Sequence, residues 1–592
     1  MPARPRKRRG NKRQRRVWQS VAAMAGGLVL LTALGWLVAQ ARDTDRQDPT
    51  AGVTTMSAEE IPDDAPELRF QDVAEALGVE MMLGPGRRRR TLPEDTGSGL
   101  AWADYDGDGD FDLYLVNFAG GGESSPDEAS NRLFRNDGAR FVDVTQRAGV
   151  GDAAGFGMGA TFADFDADGD QDLYVTNRGP NRLYTNSGNG TFIERAAELG
   201  LDDPDWSVGA TWGDFDGDGR LDLYVGNYVD FDDALALEPA ADDPNWSGVP
   251  IALNPNAFDP QANRLYRQDP SGHFFDDALA AGVSNPQGRS LGVAAIDVDD
   301  DGRLDLYVAN DVSPNALYLN RSPTAGEAVF EDASARTGIA DPRGSMGICV
   351  GDFGERTGSR FPTLLITHWV AQENALYQPT IGSTGQLEYR DRSRQRRLAE
   401  ISIDRVGWGC AAADFDADGR PDLVIANGST LESPKDPTQL VAQQLLLHWN
   451  AGDRFVDLSS VAGEPFANKH VARGLGLADF DGDGDLDLAI ARNRASPLLL
   501  ENQGPAGNTL GVRLLAPDSQ TIGARIELVT AAGSQAAWWR ADASFASDHA
   551  SQQLFGLGEE TSASRLCFAA FGTHRRCFGT LSSGRVYLLL PN

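Results

Sequence analysis

Carboxylates at alternate positions, followed by a glycine, recur six times along the chain. The copies read DYDGDGDFD from Asp104, DFDADGDQD from Asp164, DFDGDGRLD from Asp214, DVDDDGRLD from Asp297, DFDADGRPD from Asp414 and DFDGDGDLD from Asp479. In the pattern D-x-D-x-D-G-x-x-D, the acids at positions 1, 3 and 5 turn into one tight loop, and the glycine at position 6 permits the bend. The main-chain oxygen of position 7 and the Asp at position 9 complete a cage of hard oxygen ligands. Such a cage suits Ca²⁺ better than Mg²⁺, which tends to keep its waters. The candidate metal residues are Asp104, Asp106, Asp108, Asp110 and Asp112; Asp164, Asp166, Asp168, Asp170 and Asp172; Asp214, Asp216, Asp218, Arg220 and Asp222; Asp297, Asp299, Asp301, Arg303 and Asp305; Asp414, Asp416, Asp418, Arg420 and Asp422; and Asp479, Asp481, Asp483, Asp485 and Asp487. Where position 7 is Arg, only its carbonyl needs to ligate. About six Ca²⁺ sites are expected. A seventh copy at Asp352, DFGERTGSRFPTLLI, lacks the ladder of acids, and no metal is expected there.

An EF-hand would put a Glu at position 12 and a helix on each side. Position 12 here is Leu115, Val175, Val225, Val308, Ile425 or Ile490, each inside a strand-like run, so the loop joins two strands. The six loops hold 28 Asp, and four carboxylates packed together repel until a cation arrives or some protonate. Metal binding should therefore add to stability. On this reading Asp487→Ala is expected to lower stability in calcium and to do little in chelator.

The net charge is −33, and the first 41 residues carry nine Lys/Arg and no acid, so the remainder carries −42 (−33 minus 9). A body that acidic repels phosphate backbones, which argues against a nucleic-acid partner. Four Cys exclude a disulfide-dense scaffold, and six scattered His make a His-built metal site improbable. H-E-x-x-H and P-loop motifs are absent. With so many acids, a carboxylate pair for glycoside hydrolysis stays open, but no catalytic constellation stands out.

The acid loops start 60, 50, 83, 55, 62 and 65 residues apart when the degenerate copy is included, and other phrases keep the same phase. Gly-x-Gly precedes several loops, as at Gly97–Gly99, Gly157–Gly159, Gly407–Gly409 and Gly474–Gly476. An N-R-L-Y-like run follows, as at Asn131, Asn181 and Asn263, and then an F-x-D run, as at Phe141, Phe274 and Phe330. Each unit thus offers about four short strands, which bury their faces only by stacking on neighbouring units. An extra F-x-D copy, Phe70-Gln71-Asp72, precedes the first loop and can complete the last unit. The expectation is an all-β chain with a seven-bladed β-propeller over residues 67–504, followed by a small β domain over 505–592. A linear β-solenoid is the alternative, and it would not want a displaced terminal strand.

These units resemble FG-GAP/VCBS repeats, the calcium-loop blades of integrin α-subunit propellers. The resemblance implies Ca²⁺ held in the inter-strand loops. The phrases Ile522-Gly523-Ala524-Arg525 and Leu554-Phe555-Gly556-Leu557-Gly558 resemble the ASPIC/UnbV domain, which follows such repeats in the cartilage acidic protein family. That resemblance implies an exported protein with binding roles and carries over no catalytic residues.

At the N-terminus, residues 1–16 are strongly basic and residues 17–40 carry no charge, long enough to span a bilayer. They read as a transmembrane signal anchor, or as a signal peptide cut after Ala41, with residues 41–66 as a flexible tether. The body then lies outside the cytoplasm, anchored to the membrane by the N-terminal helix, or secreted or periplasmic if cleaved. In such a compartment Cys567 and Cys577 are expected to form a disulfide. Cys349 and Cys410 fall in equivalent strands of neighbouring units and should face opposite sides, which argues for buried thiols. His368-Trp369 and His448-Trp449 read as packing. The basic run Arg390–Arg397 reads as a solvated loop or a patch for an acidic partner, and Trp538-Trp539 as core or a sugar-stacking surface. The function expected is non-catalytic adhesion or binding of a protein or glycan ligand. A polysaccharide-acting propeller enzyme and an envelope assembly scaffold are the alternatives.

Overall fold

The computed structural model describes residues 61–118, 125–234, 254–354, 356, 358–504, 507–540, 544–569 and 575–590. The expected anchor at 17–40 and most of the tether lie outside them. Among the described residues, no helix is long and apolar enough to cross a membrane.

Seven four-stranded antiparallel sheets follow one another along the chain. Blade 1 runs through Leu100–Ala103, Asp112–Leu115, Arg132–Asn136 and Phe141–Asp143. Blades 2 to 6 repeat the order from inner strands Gly157–Ala163, Ser207–Gly213, Ser290–Ile296, Ser345–Gly351 and Gly407–Ala413. Blade 7 takes Ala472–Ala478, Asp487–Arg492 and Leu498–Asn502, and borrows its outer strand, Phe70–Asp72, from the N-terminus. Phe70 pairs with Asn502 and Asp72 with Leu500. The early F-x-D phrase therefore closes the ring.

Inner strands of successive blades pack in order, blade 7 against blade 1 included. The core is correspondingly divided into seven inter-blade layers. One layer joins Tyr114 and Leu133 of blade 1 to Phe162 and Leu173 of blade 2, and another joins Leu447 and Trp449 of blade 6 to Leu488 and Leu500 of blade 7. Cys349 and Cys410 are both buried in the layer between blades 5 and 6. They do face opposite sides of their own sheets, and that is what turns adjacent blades' thiols into one shared layer.

After residue 508 two larger sheets form, together with a two-stranded pair, Ser562–Ala563 and Leu581–Ser582. One sets Thr509–Leu514 between Gln553–Gly556 and a parallel Arg585–Leu589; the other orders Ser534–Trp538, Arg525–Val529, Arg565–Ala569 and Arg576–Phe578. Cys567 and Cys577 are disulfide-bonded across the last pair. Trp538 packs in the layer between blades 4 and 5 and Trp539 in the C-terminal core, so both are structural rather than a stacking surface.

This C-terminal unit sits on the acid-loop end of the ring and sends a segment into the central channel. Ile348 N–H donates to Ser544 O (2.9 Å), Asp548 N–H to Leu100 O (2.9 Å) and Ala550 N–H to Leu477 O (2.9 Å). Phe545 is fully buried edge-on against Trp408, ring centres 4.7 Å apart. The Gly-x-Gly phrase acquires its reason here. A Cβ on Gly99 would fall 1.7 Å from Ala546 O, and one on Gly347 would fall 2.1 Å from Trp408 O of the next blade. Glycine is needed because inner strands and plug approach backbone to backbone.

Candidate metal centres

Each acid loop links the inner strand of its blade to the second strand. Position 1 accepts the N–H of the position 6 glycine in all six, from Gly419 to Asp414 at 2.7 Å to Gly484 to Asp479 at 3.5 Å. Glycine is needed there because φ lies between 82° and 102° at Gly109, Gly169, Gly219, Gly302, Gly419 and Gly484. Carboxylate oxygens then converge within 4.8 Å. Asp104, Asp106 and Asp108 do so in blade 1 and Asp214, Asp216 and Asp218 in blade 3. In the other pattern, Asp164, Asp166 and Asp172, Asp297, Asp299 and Asp305, and Asp414, Asp416 and Asp422 meet in blades 2, 4 and 6.

Position 9 does more than the sequence suggested. Asp112, Asp172, Asp222, Asp305, Asp422 and Asp487 are at most 1% exposed. One oxygen of each accepts an N–H from the end of the third strand (Asn136, Asn186, Gln268, Asn320, Asn450, Asn502) at 2.7–3.0 Å. The other accepts the N–H of position 2 at 2.9–3.3 Å. This Asp ties strand to loop whether or not a cation is bound. The expectation that Asp487→Ala acts only in calcium is corrected accordingly.

Electrostatics follow from burying like charges. Burial, reinforced by Asp106, pushes Asp112 up to about 8, and burial with Asp166 does the same for Asp172. Burial and then Asp483, Asp481 and Asp479 push Asp485 up to about 8. Burial raises Asp297 to about 7, and Asp164, Asp214 and Asp418 to about 6. Asp104 Oδ1, Asp299 Oδ1 and Asp485 Oδ1 are buried without a hydrogen-bond partner. An all-oxygen donor set with orphaned buried carboxylate oxygens and raised proton affinities fits a hard divalent cation.

The loops are not alike. In blades 3, 4 and 6 the position 7 side chain folds back onto position 5, pairing Arg220 with Asp218, Arg303 with Asp301 and Arg420 with Asp418. Its Nε donates to a third-strand carbonyl: Gln268 O at 3.1 Å, Asn320 O at 3.0 Å or Asn450 O at 2.8 Å. Arg267 pairs with Asp216, and Arg321 reaches Asp299 and Asp301, each at 2.9 Å. Trp449 Nε1 donates to Asp416 at 2.9 Å. In blades 1, 2 and 7, no ion pair among the described residues involves positions 1, 3, 5 or 7. Arg267, Arg321 and Trp449 lie on later strands, and no local pattern marks them as loop partners.

The degenerate copy is put to another use. Asp352 accepts the N–H groups of Ser359 (2.8 Å) and Gly354 (3.3 Å). Arg525 of the C-terminal unit donates to Ser359 O and Gly358 O, each at 2.9 Å. Without its acids, the blade 5 loop serves as a docking edge. Asp518 joins the blade 2 loop in a similar way, accepting Asp164 N–H at 3.0 Å, and Asp414 accepts Gly556 N–H at 3.0 Å.

The remaining candidates resolve as packing. His368 and His448 are fully buried in their blades. Within the basic run, Arg390 and Arg394 pair with Glu388 and Glu373, while Arg396 is buried over the Phe455 ring.

A closed ring of seven blades with an acid loop at the first turn of six defines an acid-loop β-propeller. The FG-GAP-like repeat family matches residues 104–175, 164–225 and 414–490, so the chain carries FG-GAP-like repeats. It is homologous to cartilage acidic protein 1. The mouse protein is 30% identical over 396 residues, covering 58% of this chain and 59% of that one. The human protein is 29% identical over 177 residues, covering 29% and 25%. The matches thus span less than two thirds of these relatives. Among solved structures, BBS1N in complex with ARL6DN superposes with a TM-score of 0.37 at 9% identity, covering 72% of this chain and 97% of that one.

Proposed function

We propose that the chain is an exported, calcium-stabilised propeller that acts as a non-catalytic adhesion or ligand-binding protein at the cell surface or envelope. The observation that carries the reading is the recurrence of converging carboxylates in the loops of blades 1, 2, 3, 4 and 6, which fit a hard cation. In this reading positions 1, 3, 5 and 9 and the position 7 carbonyl hold Ca²⁺, which would supply the positive charge that the clustered acids lack. The chain's own contribution is to present those oxygens at the loop of each blade, between its inner and second strands. Homology to cartilage acidic protein 1 and the basic, then apolar, N-terminus support export. The protein or glycan ligand is unidentified, and the membrane is engaged through the N-terminal helix if it is uncleaved.

The test is melting of the full chain in millimolar calcium and in EDTA. At 1 mM ion and a dissociation constant near 10⁻⁴ M, each site contributes about 1.4 kcal/mol. Several sites together should therefore raise Tm markedly. Identical melting in the two buffers refutes the reading.

A further inference from the structure

The C-terminal plug makes the channel blind. Acid loops precede the second strands of the blades, and the turns that follow those strands lie at the opposite end of the ring. There the channel opens into a cavity of about 230 Å³. Its floor is the cluster in which Phe545, the tip of the plug, meets Trp408, Leu291 and Met346. Leu92 and Thr96, from the short helix Leu92–Thr96, line it, and so do Tyr228, Asp311 and Trp369 from blades 3, 4 and 5.

Asn254 and Asn256 also line this cavity, and several of its other polar groups are engaged. Trp369 Nε1 donates to Thr430 Oγ1 at 3.0 Å, Trp408 Nε1 to Gly428 O at 2.7 Å, and Gln372 Oε1 accepts Gly344 N–H at 2.8 Å. Among the described lining residues Asp311 is the one acid, and none is Lys, Arg or His. Tyr228 Oη donates to Asp311 Oδ2 at 2.6 Å and fixes the carboxylate. Burial raises Asp311 to about 6, offset by the Tyr228 hydroxyl, the nearby Arg289 charge and the Val312 N–H. Arg289 donates to the carbonyls of Pro255 (3.2 Å) and Phe258 (3.0 Å). A single anion walled by aromatic faces attracts a cation with an apolar body.

We infer that the blind end of the channel binds a small organic cation, an ammonium group on an apolar or aromatic body, held by the Asp311 carboxylate between Tyr228, Trp369 and Trp408. The cavity lies below the roughly 300–1,000 Å³ of drug-sized sites, so the ligand is small. The inference rests on the reading of the molecule as a ligand-binding propeller and is independent of the acid loops.

The test titrates the calcium-saturated full chain with phenethylamine and with its neutral counterpart, phenethyl alcohol, by tryptophan fluorescence and calorimetry. Saturable one-to-one binding is expected, with the amine favoured roughly tenfold or more, about 1.4 kcal/mol. Asp311→Asn should bring the amine down to the level of the alcohol, and Trp369→Ala should weaken both. Equal affinity for the two probes, amine binding indifferent to Asp311→Asn, or no saturation by either at millimolar concentration overturns the inference. Should Asp311→Asn fold poorly, the amine–alcohol ratio in the unmodified chain and Trp369→Ala still decide. Failure here with calcium-dependent melting intact removes the pocket alone. Calcium-independent melting with amine binding intact removes the metal reading alone.

Discussion

The acid loops of blades 7, 1 and 2 carry Asp at the seventh position, whereas those of blades 3, 4 and 6 carry Arg. The first three are neighbours in the ring, so one arc is purely acidic and the other is balanced by protein cations. The loop geometry is the same in both, with a position 1 carboxylate on the position 6 N–H and a position 9 carboxylate between two strands. The difference lies in where the positive charge comes from. Arg220, Arg303 and Arg420, helped by Arg267 and Arg321, bring it within the chain. The acidic arc must take it from solvent. One scaffold therefore supports two ways of balancing buried carboxylates, and calcium dependence should be concentrated in the acidic arc.

The largest expected effect ignores that division. Asp305→Ala in one arc and Asp487→Ala in the other each leave two buried N–H groups without an acceptor, at about 1–3 kcal/mol apiece. Urea unfolding should show a loss in both calcium and EDTA, larger in calcium by about the 1.4 kcal/mol of the site that position 9 helps to hold; a loss confined to calcium would make position 9 a ligand only. Next in size, Asp106→Asn and Asp166→Asn should cost about 1.4 kcal/mol in 1 mM calcium and nothing, or a slight gain, in chelator. Asp216→Asn should cost stability in both buffers, because Arg267 loses one of its two carboxylate partners. If all three variants behave alike, the two arcs are not distinct.

Two buried histidines add an acid sensitivity, opposed in chelator by the raised loop carboxylates, which bind protons more tightly in the folded chain. Burial holds His448 of blade 6 and His549 of the plug down to about 4. Because the folded pKa lies below the unfolded value, their contribution is present at neutral pH and is lost as pH falls from about 6.5 towards 4. Between pH 7 and 5.5 each should cost about 1 kcal/mol, and His448→Leu should flatten the slope of a denaturation series over that range. The smallest effect sharpens the comparison most. Arg420→Gln removes a resident cation, half-exposed and therefore worth only about 0.5 kcal/mol, and should tighten calcium binding about two-fold by calorimetry. Weaker binding would mean that the Arg side chain supports the site instead of competing with it.

Much of the fold was legible because a repeat writes its physics in short phrases. Asp, Gly and β-branched or aromatic runs at constant phase specify strand, turn and strand within each blade, and Phe70-Gln71-Asp72 announced the closing strand. The helical turn that ends at a left-handed glycine after most outer strands, as at Ala74–Leu77 and Gly78, was written there too but went unread. Less legible were contacts between residues far apart in the chain, such as Arg525 on the blade 5 loop or Asp518 on the blade 2 loop.

By itself the sequence determined the number of blades, the place of the acid loops, the ring closure and the blade that lacks an acid ladder, since each depends on neighbours within one repeat. Only the tertiary structure decided that a C-terminal segment plugs the channel, that position 9 is a backbone tie, that three loops carry their own cations and that a single carboxylate faces a blind aromatic cavity. These depend on which side chains meet when seven blades close round an axis, and side chains brought together from hundreds of residues apart leave no periodic mark along the chain.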